Sequence, residues 1–143
     1  MYIGFARQQL DNHNHYRSLH GAPALRYDKS LENACQAWAN HLASVDRLYH
    51  DDNRGYVGEN AAQDNGSASG VTKSWYDEES MYDYGRPGFS MATAHFTQVV
   101  WIGTSNFGIA KATAASGKVY VVARYSPPGN VRGQYPANVK RRR

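Results

Sequence analysis

The sequence predicts a single domain of the α+β class. Three observations carry that prediction. The chain has 143 residues, one domain's worth and enough to bury a core without disulfides. Its N-terminal half places apolar side chains at helical spacing in successive segments. Its C-terminal part holds two β-rich runs separated by Ser116-Gly117, the pattern of a hairpin.

The first helical segment spans residues 4–20. Ala6, Leu10, His13 and Arg17, with its neighbour Tyr16, share one face, and Gly21 and Pro23 stop the helix. Asp28 can cap a second helix. There Leu31, Ala34, Cys35, Trp38 and Leu42 form an amphipathic stripe that fades near Val45. A polar loop with His50, Asp51, Asp52 and Asn53 follows. Residues 55–62 read as a short strand and 64–70 as a turn. A third helix is expected over 71–82, with Val71, Trp75, Glu78 and Tyr82 on one stripe. Asp77 and Glu79 then face solvent, each turned roughly 100° from Glu78. Arg86-Pro87-Gly88 breaks the chain. A short fourth helix holds His95, Phe96, Val99 and Val100. Strands over 107–114 and 118–125 complete the domain, assigned to residues 1–131. Residues 132–143 read as an extended basic tail.

Composition narrows the function classes. No apolar run approaches the ~20 residues needed to cross a bilayer. Residues 1–10 lack the apolar core of a signal peptide, and Tyr2 rules out the myristoylation pattern. The single cysteine, Cys35, can form no internal bridge, which fits a reducing compartment. A secreted chain that has lost its leader is the alternative. Charge is unevenly spread. Residues 1–83 hold all twelve acids and seven bases, whereas residues 84–143 hold nine bases and no acid. The chain ends in Lys140, Arg141, Arg142 and Arg143, which suggests an anionic partner. No nucleic acid is expected, because aromatic residues are not interleaved with the bases and no nucleic-acid-binding motif is present.

Glu78 supplies the first chemical clue. A carboxylate on an apolar stripe must be paired, ligated or protonated, since an isolated buried charge is too costly. His50, His95 and Glu59 are the candidate partners. Two histidines and two acids, if they converge, can bind a divalent ion such as zinc or form a structural hydrogen-bonded cluster. Spacing alone does not establish that they converge.

Four motifs extend the reading. His13 to Arg17 reads HNHYR, Gly58 to Ala61 reads GENA, Ala94 to Trp101 reads AHFTQVVW, and Val121 to Asn130 reads VVARYSPPGN. In this order they resemble the signatures of the CAP superfamily (cysteine-rich secretory, antigen 5 and pathogenesis-related 1 proteins). The match runs from about residue 5 to 131. Ala94 stands where the family has glycine, and Ala61 where it has a branched aliphatic. Arg124 stands where secreted members often have cysteine. The absence of cysteine pairs makes the chain similar to the non-secreted, Golgi-associated branch, although Tyr2 replaces that branch's lipidated glycine.

The resemblance implies a three-layer α–β–α sandwich with a small, mostly antiparallel central sheet and a central cavity holding His50, Glu59, Glu78 and His95. In it the histidines can bind zinc and the acids hydrogen-bond to them. It also implies association with anionic phospholipid or sterol, a sterol-linked loop represented here by Tyr82, Tyr84 and Phe89, and a possible homodimer. The function expected is a non-enzymatic protein peripheral to the cytoplasmic face of Golgi or other endomembranes, with residues 140–143 facing the membrane. Two alternatives remain open at this point. One is a hydrolase using the His/Glu cavity, through a metal-activated water or through Ser67 or Ser69. The other is a defence-related protein-interaction module.

Overall fold

The computed structural model describes residues 4–143, so Tyr2 lies outside the described part. Among the described residues five helices flank a four-stranded sheet. In chain order the elements are α1 (Phe5–Leu19), β1 (Arg26–Tyr27), α2 (Lys29–Val45), β2 (Gly58–Asp64) and α3 (Val71–Tyr76). A 3-10 segment (Asp77–Met81), α4 (Ala94–Val99), β3 (Asn106–Thr113), β4 (Val119–Ser126) and α5 (Tyr135–Asn138) follow. The sheet order is β1-β3-β4-β2. Strand β1 pairs parallel with β3, while β3–β4 and β2–β4 are antiparallel. The small, mostly antiparallel sheet that the resemblance implies is therefore present.

Strand β4 explains the layering. Successive side chains point to opposite faces, and both faces are covered. Val119, Val121, Ala123 and Tyr125 join the core beneath α3 and α4. Tyr120 and Val122 meet Cys35, Ala39 and Leu42 of α2 on the other face. Asp28 caps α2 by accepting from the Ser30 and Leu31 amides at 2.9 and 3.2 Å. The start of α2 lies so close to β3 that a Cβ on Gly108 would sit 2.4 Å from the Glu32 nitrogen. Gly117 turns the β3–β4 hairpin with φ +92°, a backbone conformation other residues rarely adopt.

Helix α1 has the predicted period but buries a polar face: Gln9, His13 and Arg17. Each is satisfied. Gln9 donates to the Ser69 carbonyl and accepts from Thr72. The His13 Nδ1–H donates to the Gln9 carbonyl at 2.8 Å, and its Nε2 accepts from the Tyr125 hydroxyl at 2.6 Å. Burial lowers the His13 pKa to about 3, so the ring is neutral. Arg17 donates to four carbonyls, those of Pro23, Val99, Trp101 and Thr104. It thereby ties α1 to the C-terminal end of α4, where unpaired helix carbonyls favour a cation. Burial lowers its pKa to about 10, and it remains charged.

Several expectations need correction. The strand expected over 55–62 begins at Gly58 and runs to Asp64, because its pairing with β4 fixes its limits. The helix expected over 71–82 leaves α geometry after Tyr76 and continues as the 3-10 segment. Glu79 does not face solvent freely, because it is half-buried and accepts from the Tyr84 hydroxyl at 3.0 Å. Trp75 and Trp101 are core residues, whereas Trp38 is only partly buried. Residues 132–143 are not an extended tail. Tyr135 and Val139 enter the main core, Ile102 N–H donates to the Asn138 carbonyl, and Arg143 N–H donates to the Leu19 carbonyl. The basic composition of this stretch conceals the two apolar anchors that dock it.

Candidate functional site

The site forms around β2. In a strand, neighbouring side chains point to opposite faces, and Glu59 and Asn60 use this to reach both sides of the sheet. Glu59 points to the α2 side, where its Oε1 accepts from His50 Nδ1 at 2.8 Å and from the Asp51 amide at 3.2 Å. Asn60 points to the other side and donates to the His95 carbonyl at 3.2 Å and to the Tyr125 hydroxyl at 3.3 Å. Gly58 leaves room for Gln98, since a Cβ there would lie 2.1 Å from Gln98 Oε1. The GEN motif is thus a mount for the two histidines.

The second histidine is fixed from the 3-10 segment. Glu78 Oε2 accepts from His95 Nδ1 at 2.7 Å, and its Oε1 accepts from the Phe96 amide at 3.0 Å. His95 also stacks on Trp75, with ring centroids 5.8 Å apart and planes 16° apart. The carboxylate on Glu78 is therefore paired, as its place on an apolar stripe demanded.

The structure gathers the four predicted residues as two His–Glu pairs. His50 and His95 both line a cleft of about 410 Å³, with Asn60, Gln98, Phe89 and Met91 among its other walls. In each pair the carboxylate accepts from Nδ1, which assigns the proton to Nδ1 and leaves Nε2 with the lone pair in the neutral ring. Carboxylates commonly orient metal-binding histidines in this way. The acids are already engaged. Glu59 is held by three donors once Arg124 is included, and Glu78 by two. Among the described residues no group of three or more His, Cys, Asp or Glu is placed to hold a metal. His50 and His95 are thus the histidines an ion in this cleft would meet, and no third side chain of these types joins them among the described residues.

Arg124 is the site residue that sequence reasoning missed. It stands opposite Glu59 in the β2–β4 register. Its guanidinium lies 3.0 Å from Glu59 and 2.9 Å from Asp51. The Glu59 side chain is 0% exposed, so this cation supplies its charge balance. Burial pushes the Asp51 carboxyl up, but the Asn53 amide and Arg124 outweigh it and hold the pKa below the usual value. The signal was present in the sequence as two opposite charges on separate strands, but only the register pairs them.

The remaining candidates separate. Tyr82 is buried, and its hydroxyl has no partner among the described residues. Tyr84 packs edge-on against Tyr82 and donates to Glu79. Phe89 alone of the three loop aromatics is well exposed, at 64%, and Met91, at 84%, joins it. Lys140, Arg141, Arg142 and Arg143 are all exposed. Arg141 lies over the Tyr84 ring at 4.9 Å, and the Arg143 guanidinium packs against Gly21. Ser67 and Ser69 line a separate cavity with residues of the β2–α3 turn, and neither lines the histidine cleft.

An α–β–α sandwich with two acid-oriented histidines in a cleft at an edge strand defines a class of protein. The model of the CAP family, "Cysteine-rich secretory protein family", matches residues 10–125. Human Golgi-associated plant pathogenesis-related protein 1 is 41% identical over 131 residues, covering 89% of this chain and 85% of that protein. Arabidopsis thaliana pathogenesis-related protein 1 is 35% identical over 129 residues, covering 89% and 79%. The chain spans 41% of the length of Protein PRY2 of Saccharomyces cerevisiae, at 36% identity over 94% of this chain. Among solved structures, venom allergen-like protein 4 of Schistosoma mansoni superposes with a TM-score of 0.75 at 19% identity, covering 91% and 92% of the two chains. NaASP2, solved with Zn2+, gives 0.75 at 23% identity, covering 98% and 88%. The chain belongs to the CAP family, related to its pathogenesis-related and Golgi-associated members.

Proposed function

We propose that this chain is a non-enzymatic CAP domain that attaches peripherally to anionic endomembrane lipid, at the Golgi or a neighbouring compartment. The observation that carries the reading is the basic end. Four consecutive exposed cations close a stretch of sixty residues that contains no acid. Contacts with Tyr84, Gly21 and Leu19 hold these residues against the domain, which limits the ordering needed to present their charge to a surface. Attraction of this kind requires anionic lipid and weakens with salt. No helix among the described residues is long and apolar enough to cross a membrane. A named Golgi-associated relative supports the choice of compartment.

The test is co-sedimentation with phosphatidylserine-containing and with neutral vesicles across a salt series. K140Q/R141Q/R142Q retains Arg143 and its packing. Binding confined to anionic vesicles, and weakened by salt and by this variant, is the expected result. Equal binding to both vesicle types, or none to either, would overturn the reading.

The two His–Glu pairs favour a second property, binding of a divalent ion such as zinc by His50 and His95. When bound, the ion would supply a Lewis-acid centre in the cleft. Glu59 and Glu78 hold the Nδ1 protons and so direct Nε2 lone pairs to coordination. Zinc titration by calorimetry should show one site, lost in H95A. Unchanged binding in H50A/H95A would place the ion elsewhere.

A further inference from the structure

The loop before α4 turns its tyrosines inward and leaves Phe89 and Met91 at the surface. Both side chains line the histidine cleft. Phe89 also lines a neighbouring groove of about 510 Å³ formed with Pro87, Tyr135 and Pro136. It stands on the ridge between the two depressions. Each contributes a basic residue, Arg54 in the cleft and Arg132 in the groove. Among the described residues the only acid lining either one is Glu59, whose side chain is fully buried and paired with Arg124. The two linings therefore combine exposed apolar side chains with one cation each and hold no unpaired carboxylate.

From this combination we infer that the Phe89/Met91 ridge is the part of the domain that enters an anionic bilayer, and that the histidine cleft opens toward the membrane. The inference rests on the membrane reading above and adds an orientation to it. Phe89 and Met91 reach the acyl boundary, while Arg54 and Arg132 lie at the depth of the phosphates. Whatever occupies the His50/His95 cleft then exchanges with the bilayer interface.

Cysteine labelling tests the orientation, because the native Cys35 is fully buried. M91C and, as a control at the exposed β3–β4 turn, A115C each receive an environment-sensitive fluorophore. With phosphatidylserine vesicles the label at 91 should shift to shorter wavelength and brighten, and the label at 115 should not. F89D/M91D should bind these vesicles about tenfold or more weakly, since the apolar contact is replaced by two charges. Its melting temperature should be unchanged, because both native side chains are exposed. If F89D/M91D binds like the parent while K140Q/R141Q/R142Q is weakened, the tail is the contact and this orientation is wrong, although the membrane reading stands. A shift at both labelled positions would equally refute it. If the parent protein binds no vesicles, both proposals fall.

Discussion

Replacing Arg124 by methionine removes the cation that balances Glu59 but keeps most of the side-chain volume. The Glu59 carboxylate then remains fully buried with two donors, His50 Nδ1 and the Asp51 amide. Removing one partner of a buried pair costs about 3–5 kcal/mol. The two donors that remain offset part of that cost, which puts the expected loss near the lower bound, at about 3 kcal/mol. For a domain of this size that corresponds to a fall in Tm of roughly 10 °C. Urea unfolding of the parent, R124M, E59Q and the double variant forms a cycle in which the pair should show a coupling energy above about 1 kcal/mol. A loss below about 1 kcal/mol for R124M, or strictly additive single effects, would refute Arg124 as the charge balance of the site. Asp51 adds a pH signature. Its folded pKa lies below the ordinary 3.8, so its share of the stability is present above that value and is lost as pH falls through the lower folded pKa. The difference between parent and R124M should therefore narrow below about pH 4.

Three further outcomes are expected. The folded pKa of His13 is lowered to about 3 by burial. Its contribution is thus complete above the unfolded value of 6.5 and is lost as pH falls toward 3, about 2 kcal/mol of it by pH 5. Urea melts at pH 7 and pH 5 should show this loss, and its absence would mean that the ring is protonated or exposed. R17M orphans carbonyls of Pro23, Val99, Trp101 and Thr104 and should cost at least about 3 kcal/mol, whereas a loss under 1 would show that water replaces the guanidinium. G108A places a Cβ 2.4 Å from the Glu32 nitrogen and should cost about 1–3 kcal/mol in denaturant unfolding, with a neutral result implying that α2 can lift from β3.

What was legible in the sequence follows from how each interaction is encoded. Period 3.6 located α1 and α2, but on α1 it could not show that the buried face is made of Gln9, His13 and Arg17, because hydropathy reads these as surface residues. Glu78 was legible by contradiction, as an acid on an apolar stripe that needed a partner. His95 and Glu59 were legible within motifs, yet the contacts that fix them span 17 and 9 residues and depend on how the 3-10 segment meets α4 and how the loop after α2 meets β2. Arg124 was not legible as a site residue, since its partner lies 65 residues away and only strand register brings them opposite. The C-terminal segment misled for a related reason. Its charge dominates its composition, while two apolar side chains, Tyr135 and Val139, determine its placement.

The position of β2 also explains why the site needs so many buried polar groups. A cleft that holds one histidine from each side of a sheet cannot be organised by an apolar core, which lies on one face at a time. It needs an edge strand whose consecutive residues carry hydrogen bonds in opposite directions. Glu59 serves His50 and Asn60 serves the backbone of His95, so a one-residue slip of β2 would exchange their faces and release both. The seven-residue pairing from Gly58↔Tyr125 to Asp64↔Val119 fixes that register. Within it, the Glu59–Arg124 pair adds a charge-specific contact that a slipped strand could not make. Stability and site geometry are therefore set by the same ladder, and variants that weaken the Glu59–Arg124 pair should loosen His50 before they unfold the domain.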